Sequence, residues 1–326
     1  MILSAGLGTR LRPVTEAYPK PAVPFLNVPL LYYPFFLMRE AGARSFVINT
    51  HHKPEQIEEI CKRLRAGGNY IDFSHEPGAP LGSGGGIWKA KSLLEGSGDF
   101  FVANGDEVIL PRERGTLENF VKAHKEGRHL ATILVMRHPG VGTQFGGVWA
   151  DASGAVKGFG KDPKQFPGTT GYHYIGLLLL SPRVFSYMPE GESNILYDTL
   201  AAAIAKGERV RVVTGDFTWY ETGNPKDFLH ATSDALKLHV EGTGYDAECL
   251  RAITHQYWTP GTVCLQENGL YKLVGESTYV SPAAKAKGFI VIGDRARIES
   301  GAVVENSVVM PTARVNTQAV DQIVLP

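Results

Sequence analysis

The chain has few cysteines and no net charge, and both deficits exclude whole classes of protein. Its three cysteines, Cys61, Cys249 and Cys264, stand far apart without CxxC spacing. That pattern excludes a cysteine-rich zinc site and argues against a disulfide framework. The 33 Lys and Arg residues balance 33 Asp and Glu residues. A chain without surplus positive charge is no general polyanion binder, so any cations that handle phosphate must be clustered locally. No basic start precedes a signal-like apolar run, and no apolar stretch is long enough to cross a bilayer; a soluble, cytoplasmic protein that binds neither nucleic acid nor membrane is expected. What remains is ordinary, 43% hydrophobic and 20% charged over 326 residues. That length allows one large domain or two.

Apolar runs alternate with amphipathic stretches through the first half. Ile2 to Ala5 reads as a short buried strand with Met1 already inside it, which predicts a misassigned start or one or two residues missing upstream. Further strands are expected at Phe46–Thr50, Ile71–His75, Phe100–Asn104 and Ala131–Met136. Helices are expected at Pro29–Ala41, Lys53–Arg65, Trp88 to about Leu94, and Thr116–Glu126. This alternation predicts an α/β fold, a mostly parallel sheet sandwiched by helices, with ligands held at the carboxyl ends of the strands. From about Phe145 the strands become shorter and Gly-punctuated, and helices are expected at Ile195–Lys206 and Pro225–Leu238. Residues 241–272 show no clear period and read as a connector. Beyond them Ile292, Ile298, Val304 and Met310 recur every six residues, with Ala296, Ala302 and Val308 in a second phase. A six-residue period of small and β-branched residues predicts a short parallel β-helix over 273–326.

The opening loop carries the first chemistry. Gly6 and Gly8 follow a strand and permit close backbone approach to a ligand, with free N–H groups for a phosphate. Leu11 stands where a dinucleotide fingerprint needs its third glycine, and no GKS or GKT follows for a Walker loop. A plain turn would explain the glycines alone. However, Thr9, Arg10, Arg12 and Lys20 cluster there beside prolines at 13, 19, 21 and 24, and a stiff cationic loop suits a triphosphate.

The run G-x-G-T-R-L-x-P-x-T followed by Pro19-Lys20-Pro21 resembles the signature of the sugar-1-phosphate nucleotidylyltransferases, and later motifs keep that family's order to about residue 240. The texture is similar to mannose-1-phosphate guanylyltransferases and N-acetylmuramate-1-phosphate uridylyltransferases. The resemblance implies a Rossmann-like catalytic domain over 1–240, with a sugar-binding part at about 145–223, and a left-handed β-helix tail such as several members carry. It also implies NTP and sugar 1-phosphate as substrates, Mg²⁺ as cofactor, and possible homo-oligomers through the tail.

Roles follow residue by residue from that resemblance. Ala5, Gly6, Leu7, Gly8 and Thr9 would lie along the nucleotide. Arg10 would contact the β- and γ-phosphates, with Arg12 supporting, and Lys20 the α-phosphate and the sugar phosphate. Asp106, in Asn104-Gly105-Asp106-Glu107, would bind Mg²⁺, unless the segment is only a hairpin turn. Glu221 stands in Trp219-Tyr220-Glu221-Thr222-Gly223 where the family usually has Asp, and it would be the second metal ligand. Gly82-Ser83-Gly84-Gly85-Gly86 resembles the glycine patch that packs on the base; a flexible linker is the alternative. Glu76, on a strand end, would read the base edge. A carboxylate accepts two N–H bonds and so suits guanine better than uracil, though an exposed structural Glu fits equally. On the sugar side Lys161, Gly176, Asn104 and Gly105 are candidates, and Asn194 is a sugar ligand or a helix N-cap. Where relatives have Glu-Lys, this chain has Gly160-Lys161. His51 and His52 lack a third ligand at metal spacing, and either lines the nucleotide pocket or caps a helix.

The implied reaction is attack of a sugar phosphate oxygen on the α-phosphorus of GTP, with mannose 1-phosphate or a similar sugar, and departure of pyrophosphate. A UTP-using enzyme is the alternative. The departures at Glu221 and Gly160 also leave room for a non-catalytic nucleotide-sugar-binding subunit, against which the intact Gly/Arg/Lys motif argues. A β-helix acyltransferase is disfavoured, because the last histidine, His255, precedes the repeats.

Overall fold

The computed structural model describes residues 1–257, 265–267 and 269–326. The chain divides into two compact units whose segments interleave along the sequence, unlike the contiguous boundaries expected. The first comprises Met1–Leu7, Pro34–Gly105 and Glu113–Phe217; the second comprises Gly8–Tyr33, Asp106–Arg112 and Thr218–Pro326.

The first unit is built on a nine-stranded sheet. Its parallel half follows from buried runs too apolar to leave either face in water. Ile2–Leu3 pairs in parallel with Ser45–Thr50 on one side and Phe100–Asn104 on the other, and Ser45–Thr50 pairs in parallel with Tyr70–His75. Thr170–Leu180 runs antiparallel to both Phe100–Asn104 and Ala131–Met136, and Val210–Thr214 is parallel to Ala131–Met136. The sheet is therefore mixed, with its parallel strands where the alternation of strand and helix is clearest. Gly176 sits where the pairing register of Thr170–Leu180 shifts, at φ 85°, a conformation that disfavours any side chain. The core gathers Val102, Ile133, Val135, Leu178, Leu180, Leu200 and Val210 from five elements.

The second unit is held partly by aromatics. Phe25 packs against Tyr33, Tyr220 and Phe228 with ring centroids 5.6–5.9 Å apart. The stretch expected to be a connector contains a helix, Tyr245–Tyr257, which buries Ala247, Leu250, Ile253 and Tyr257, and the preceding helix Pro225–Glu241 reaches into it. These side chains recur at three and four positions, but buried Asp246 and Thr254 interrupt the apolar pattern. Residues 258–264 and 268 of that stretch lie outside the described residues. After it, strands run in two parallel sheets. Leu270–Val274, Lys285–Ile292, Val303–Val309 and Gln318–Val320 form one; Tyr279–Val280, Arg297–Ile298 and Arg314–Val315 form the other. Ile292, Ile298 and Val304, one phase of the six-residue period, share a core with Ala296 and Ala302 of the other phase.

Candidate active site

In the second unit five of the expected residues meet: Gly8, Arg10, Lys20, Asp106 and Glu221. Gly8 has φ 59°, and a Cβ there would lie 3.0 Å from side-chain carbons of both Lys20 and Thr15, so only glycine fits without a shift. Thr15 Oγ1 donates to the Gly8 carbonyl at 3.0 Å and holds the loop on itself. Lys20 lies in a short 3-10 turn, Lys20–Ala22, with its side chain only 10% exposed. Its Nζ donates to Asp106 Oδ2 at 2.6 Å. The Asp106 carbonyl accepts from Thr222 Oγ1 at 3.1 Å, and Trp219 Nε1 donates to Glu107 Oε2 at 2.7 Å.

Negative charge is crowded here. Burial, then the neighbouring Asp106 carboxylate, push the Glu107 carboxyl up to about 7; Glu221 adds to the rise, while Trp219 and Lys20 oppose it. Gly223 stands where a Cβ would lie 3.1 Å from Arg10 Nη1 and collide with Glu221 Oε1. A side chain at 223 would displace a carboxylate and disturb a guanidinium. Among the described residues no group of three or more His, Cys, Asp or Glu side chains is arranged to hold a metal ion. Asp106 and Glu221 are nonetheless hard oxygen donors, and the repulsion felt by Glu107 is what a divalent cation would relieve, so these residues fit Mg²⁺. Glu107 was missed as an individual residue, although it follows Asp106 directly in the quoted motif.

In the first unit the structure corrects two expectations. Glu76, expected to read the base edge or to be an exposed structural Glu, is buried, and each carboxylate oxygen already accepts a hydrogen bond. Oε1 accepts from Asn49 Nδ2 at 2.7 Å and Oε2 from the Leu81 amide at 2.8 Å. Asn49 Oδ1 in turn accepts from the Ser4 amide at 2.7 Å. The carboxylate therefore ties three segments together, and the guanine argument loses its support. The glycine patch, read as a surface for the base, opens a helix at Gly82–Lys89 and packs mainly on its own chain. The Gly84 amide donates to the Ser193 carbonyl at 2.8 Å. A Cβ at Gly84 would lie 2.6 Å from Ser193 Oγ, and one at Gly86 would lie 2.7 Å from Glu76 Oε1. Ser83 Oγ accepts from the Ile195 amide at 3.0 Å, while Gly82 itself is exposed.

The other residues fall as follows. Asn194 is a helix cap: its Oδ1 accepts from the amides of Leu196 and Tyr197 at 2.9 and 3.1 Å. Gly105 hugs its own sheet, its amide donating to the Leu3 carbonyl at 2.8 Å, and Asn104 is half-buried at the end of its strand. Ala5 is buried; Gly6, Leu7, Thr9 and Arg10 are exposed. Lys161 is exposed and Gly176 buried. His51 Nδ1 bonds the Glu76 carbonyl at 2.8 Å, and the residue at the N-cap of the next helix is Lys53.

Comparison with known proteins gives the family. The family model described as nucleotidyl transferase matches residues 1–237, and the chain belongs to that family. A UTP–glucose-1-phosphate uridylyltransferase of Synechocystis sp. is 28% identical, over 99% of this chain and 86% of its own length. A mannose-1-phosphate guanylyltransferase catalytic subunit beta of Drosophila melanogaster is 32% identical, over 70% of this chain and 60% of its own. The solved structure of the inositol-1-phosphate CTP transferase from T. maritima shares the fold, with TM-score 0.60 and 19% identity over 78% of this chain and 95% of that one. No helix among the described residues is long and apolar enough to cross a membrane.

Proposed function

We propose that the protein joins an NTP to a sugar 1-phosphate, with GTP and mannose 1-phosphate as the preferred pair. The Lys20–Asp106 pair at 2.6 Å, set among Glu107, Glu221 and Arg10, is the observation that carries the reading. An oxygen of the sugar phosphate forms a bond to the α-phosphorus while the bond to the β-phosphate bridging oxygen breaks, releasing pyrophosphate. A phosphate oxygen needs no general base near neutral pH, so catalysis consists of positioning and charge neutralisation. Lys20 leaves Asp106 for the α-phosphoryl oxygens, and Arg10 holds the departing β- and γ-phosphates. Bound to Asp106 and Glu221, Mg²⁺ would supply Lewis-acid neutralisation of phosphate charge. Lys161 and Asn104 are assigned to the sugar phosphate, and Gly176 presents backbone to the sugar. The parallel C-terminal strands are read as a short β-helix.

The guanylyl choice is supported by the mannose-1-phosphate relatives and not by Glu76. The uridylyl reading is favoured by a different observation, the Synechocystis relative aligned along 99% of this chain. Pyrophosphate release over a matrix of four NTPs and several sugar 1-phosphates tests both. Highest turnover with GTP and mannose 1-phosphate is expected. Turnover with UTP alone overturns the base assignment, and no release with any pair overturns the enzyme reading in favour of a binding subunit.

A further inference from the structure

A second group of cations lies in the first unit at the amino ends of Ala131–Met136 and Val210–Thr214, among residues to which the nucleotidyl-transfer reading assigns no role. Arg209 and Arg211 are two apart along an extended segment, and so project to one side of it. Their backbone is fixed: the Arg209 carbonyl accepts from the Leu130 amide at 2.9 Å, and Arg211 lies opposite Thr132. Beside them His129, Lys157, Ser153 and Glu208 complete the polar wall of a depression of about 410 Å³. His129 is 9% exposed, and neither ring nitrogen has a hydrogen-bond partner among the described residues. Neither arginine has a side-chain hydrogen bond or ion pair among them either.

The acidic groups nearby are already committed. Asp151 takes Lys157 at 2.8 Å and the Ser153 hydroxyl at 2.6 Å; Glu208 takes Arg183 at 3.1 Å and Tyr187 at 2.9 Å. Two unpaired guanidinium groups and a buried imidazole without partners form a site short of negative charge and of acceptors. Buried polar groups rarely stay unpaired, and paired arginines are the usual partners of tetrahedral oxyanions.

We infer that this depression binds a small phosphate-bearing anion, held by Arg209 and Arg211, with the buried His129 ring beside it sensing the charge. Burial first, then Arg209, Arg211 and His124, hold the His129 imidazole below its ordinary pKa, so it is neutral near pH 7. A bound dianion offsets the unfavourable field of the two arginines and so shifts the imidazole toward its protonated form.

The test is a titration of the full chain with inorganic phosphate, and separately with mannose 1-phosphate, read at the His129 imidazole by NMR. A saturable shift toward the protonated form, with Kd of ~1 mM or tighter, is expected. In Arg209→Gln/Arg211→Gln it should weaken at least about tenfold. Both side chains are exposed, so nucleotidyl transfer by that variant stays at the wild-type rate and checks its folding; if the double variant does not fold, the single variants carry the same test. Tighter binding of mannose 1-phosphate makes the phosphate part of a larger ligand; equal binding makes it the free ion; either supports the site. An unmoved His129 signal, or the same shift in the arginine variants, overturns it.

Discussion

Two sheltered carboxylate sites in this protein are opposites. Each Glu76 carboxylate oxygen accepts one hydrogen bond, from Asn49 and from the Leu81 amide, and among the described residues no cation pairs with it. Asp106 and Glu107 are crowded by each other and by Glu221, with the Lys20 ammonium on Asp106 and the Trp219 indole on Glu107. The first arrangement is at rest, and adding a ligand would break bonds without making better ones. The second holds like charges at close quarters, which costs stability unless cations or phosphates enter. A satisfied carboxylate braces a fold, whereas a surplus of carboxylates beside a lysine marks a place where charge is meant to arrive and leave.

The largest expected effect breaks the second site. Lys20→Ala and Asp106→Ala should each lower pyrophosphate release by about 100- to 1,000-fold. The fold should survive in Lys20→Ala, because the Asp106 side chain is 32% exposed and can hydrate once unpaired, whereas Asp106→Ala strands the Lys20 ammonium, only 10% exposed, and should cost more stability. Circular dichroism checks that point. Because the two act as a unit, the double variant should cost little more than the worse single one. Normal release from either single variant would remove that residue from the reaction. Next comes Glu221→Ala, which should raise the Mg²⁺ concentration for half-maximal turnover by about 10- to 100-fold, read by metal titration. An unchanged Mg²⁺ requirement would leave Asp106 without its proposed partner.

The Glu76 brace should respond in stability instead. Glu76→Ala leaves the Asn49 amide group and the Leu81 N–H without their acceptors, which costs about 2–4 kcal/mol. Urea unfolding measures the loss, and the NTP panel should keep its order of preference. A switch of preferred base without loss of stability would restore Glu76 as the base reader.

Much of this contrast was open to reading from the residues, and the part that was not has physical causes. Strands Phe100–Asn104 and Ala131–Met136 fall where their apolar runs place them, because a buried parallel strand must be apolar on both faces. The helix at Gly82 was expected to begin only at Trp88, since four glycines in five positions oppose helix by propensity. Ser193, Gly191 and Glu76 press so closely on that turn that nothing larger fits, and tertiary contact overrides propensity. Lys20, Asp106 and Glu221 stood out through their motifs. The fate of Glu76 did not, because its partner Asn49 comes from another strand and the Leu81 amide bond depends on how the loop folds back.

The smallest prediction uses two glycines as matched probes. A methyl at Gly86 would come within 2.7 Å of Glu76 Oε1 and 2.8 Å of Asn49 Nδ2; one at Gly223 would come within 3.1 Å of Arg10 Nη1 and collide with Glu221. Each Gly→Ala change therefore pushes directly on one carboxylate site. At Gly86 the displaced groups are bonded to each other, so the energy comes from stability, about 1–3 kcal/mol in urea unfolding, with turnover of the folded enzyme unchanged. At Gly223 the displaced groups carry free charge, and only their placement toward incoming phosphate and metal is spoiled. Turnover should fall by about tenfold while the unfolding midpoint hardly moves. If Gly223→Ala instead destabilised the protein and spared turnover, the two carboxylate sites would be of one kind, and the crowding around Glu221 would be architecture rather than chemistry.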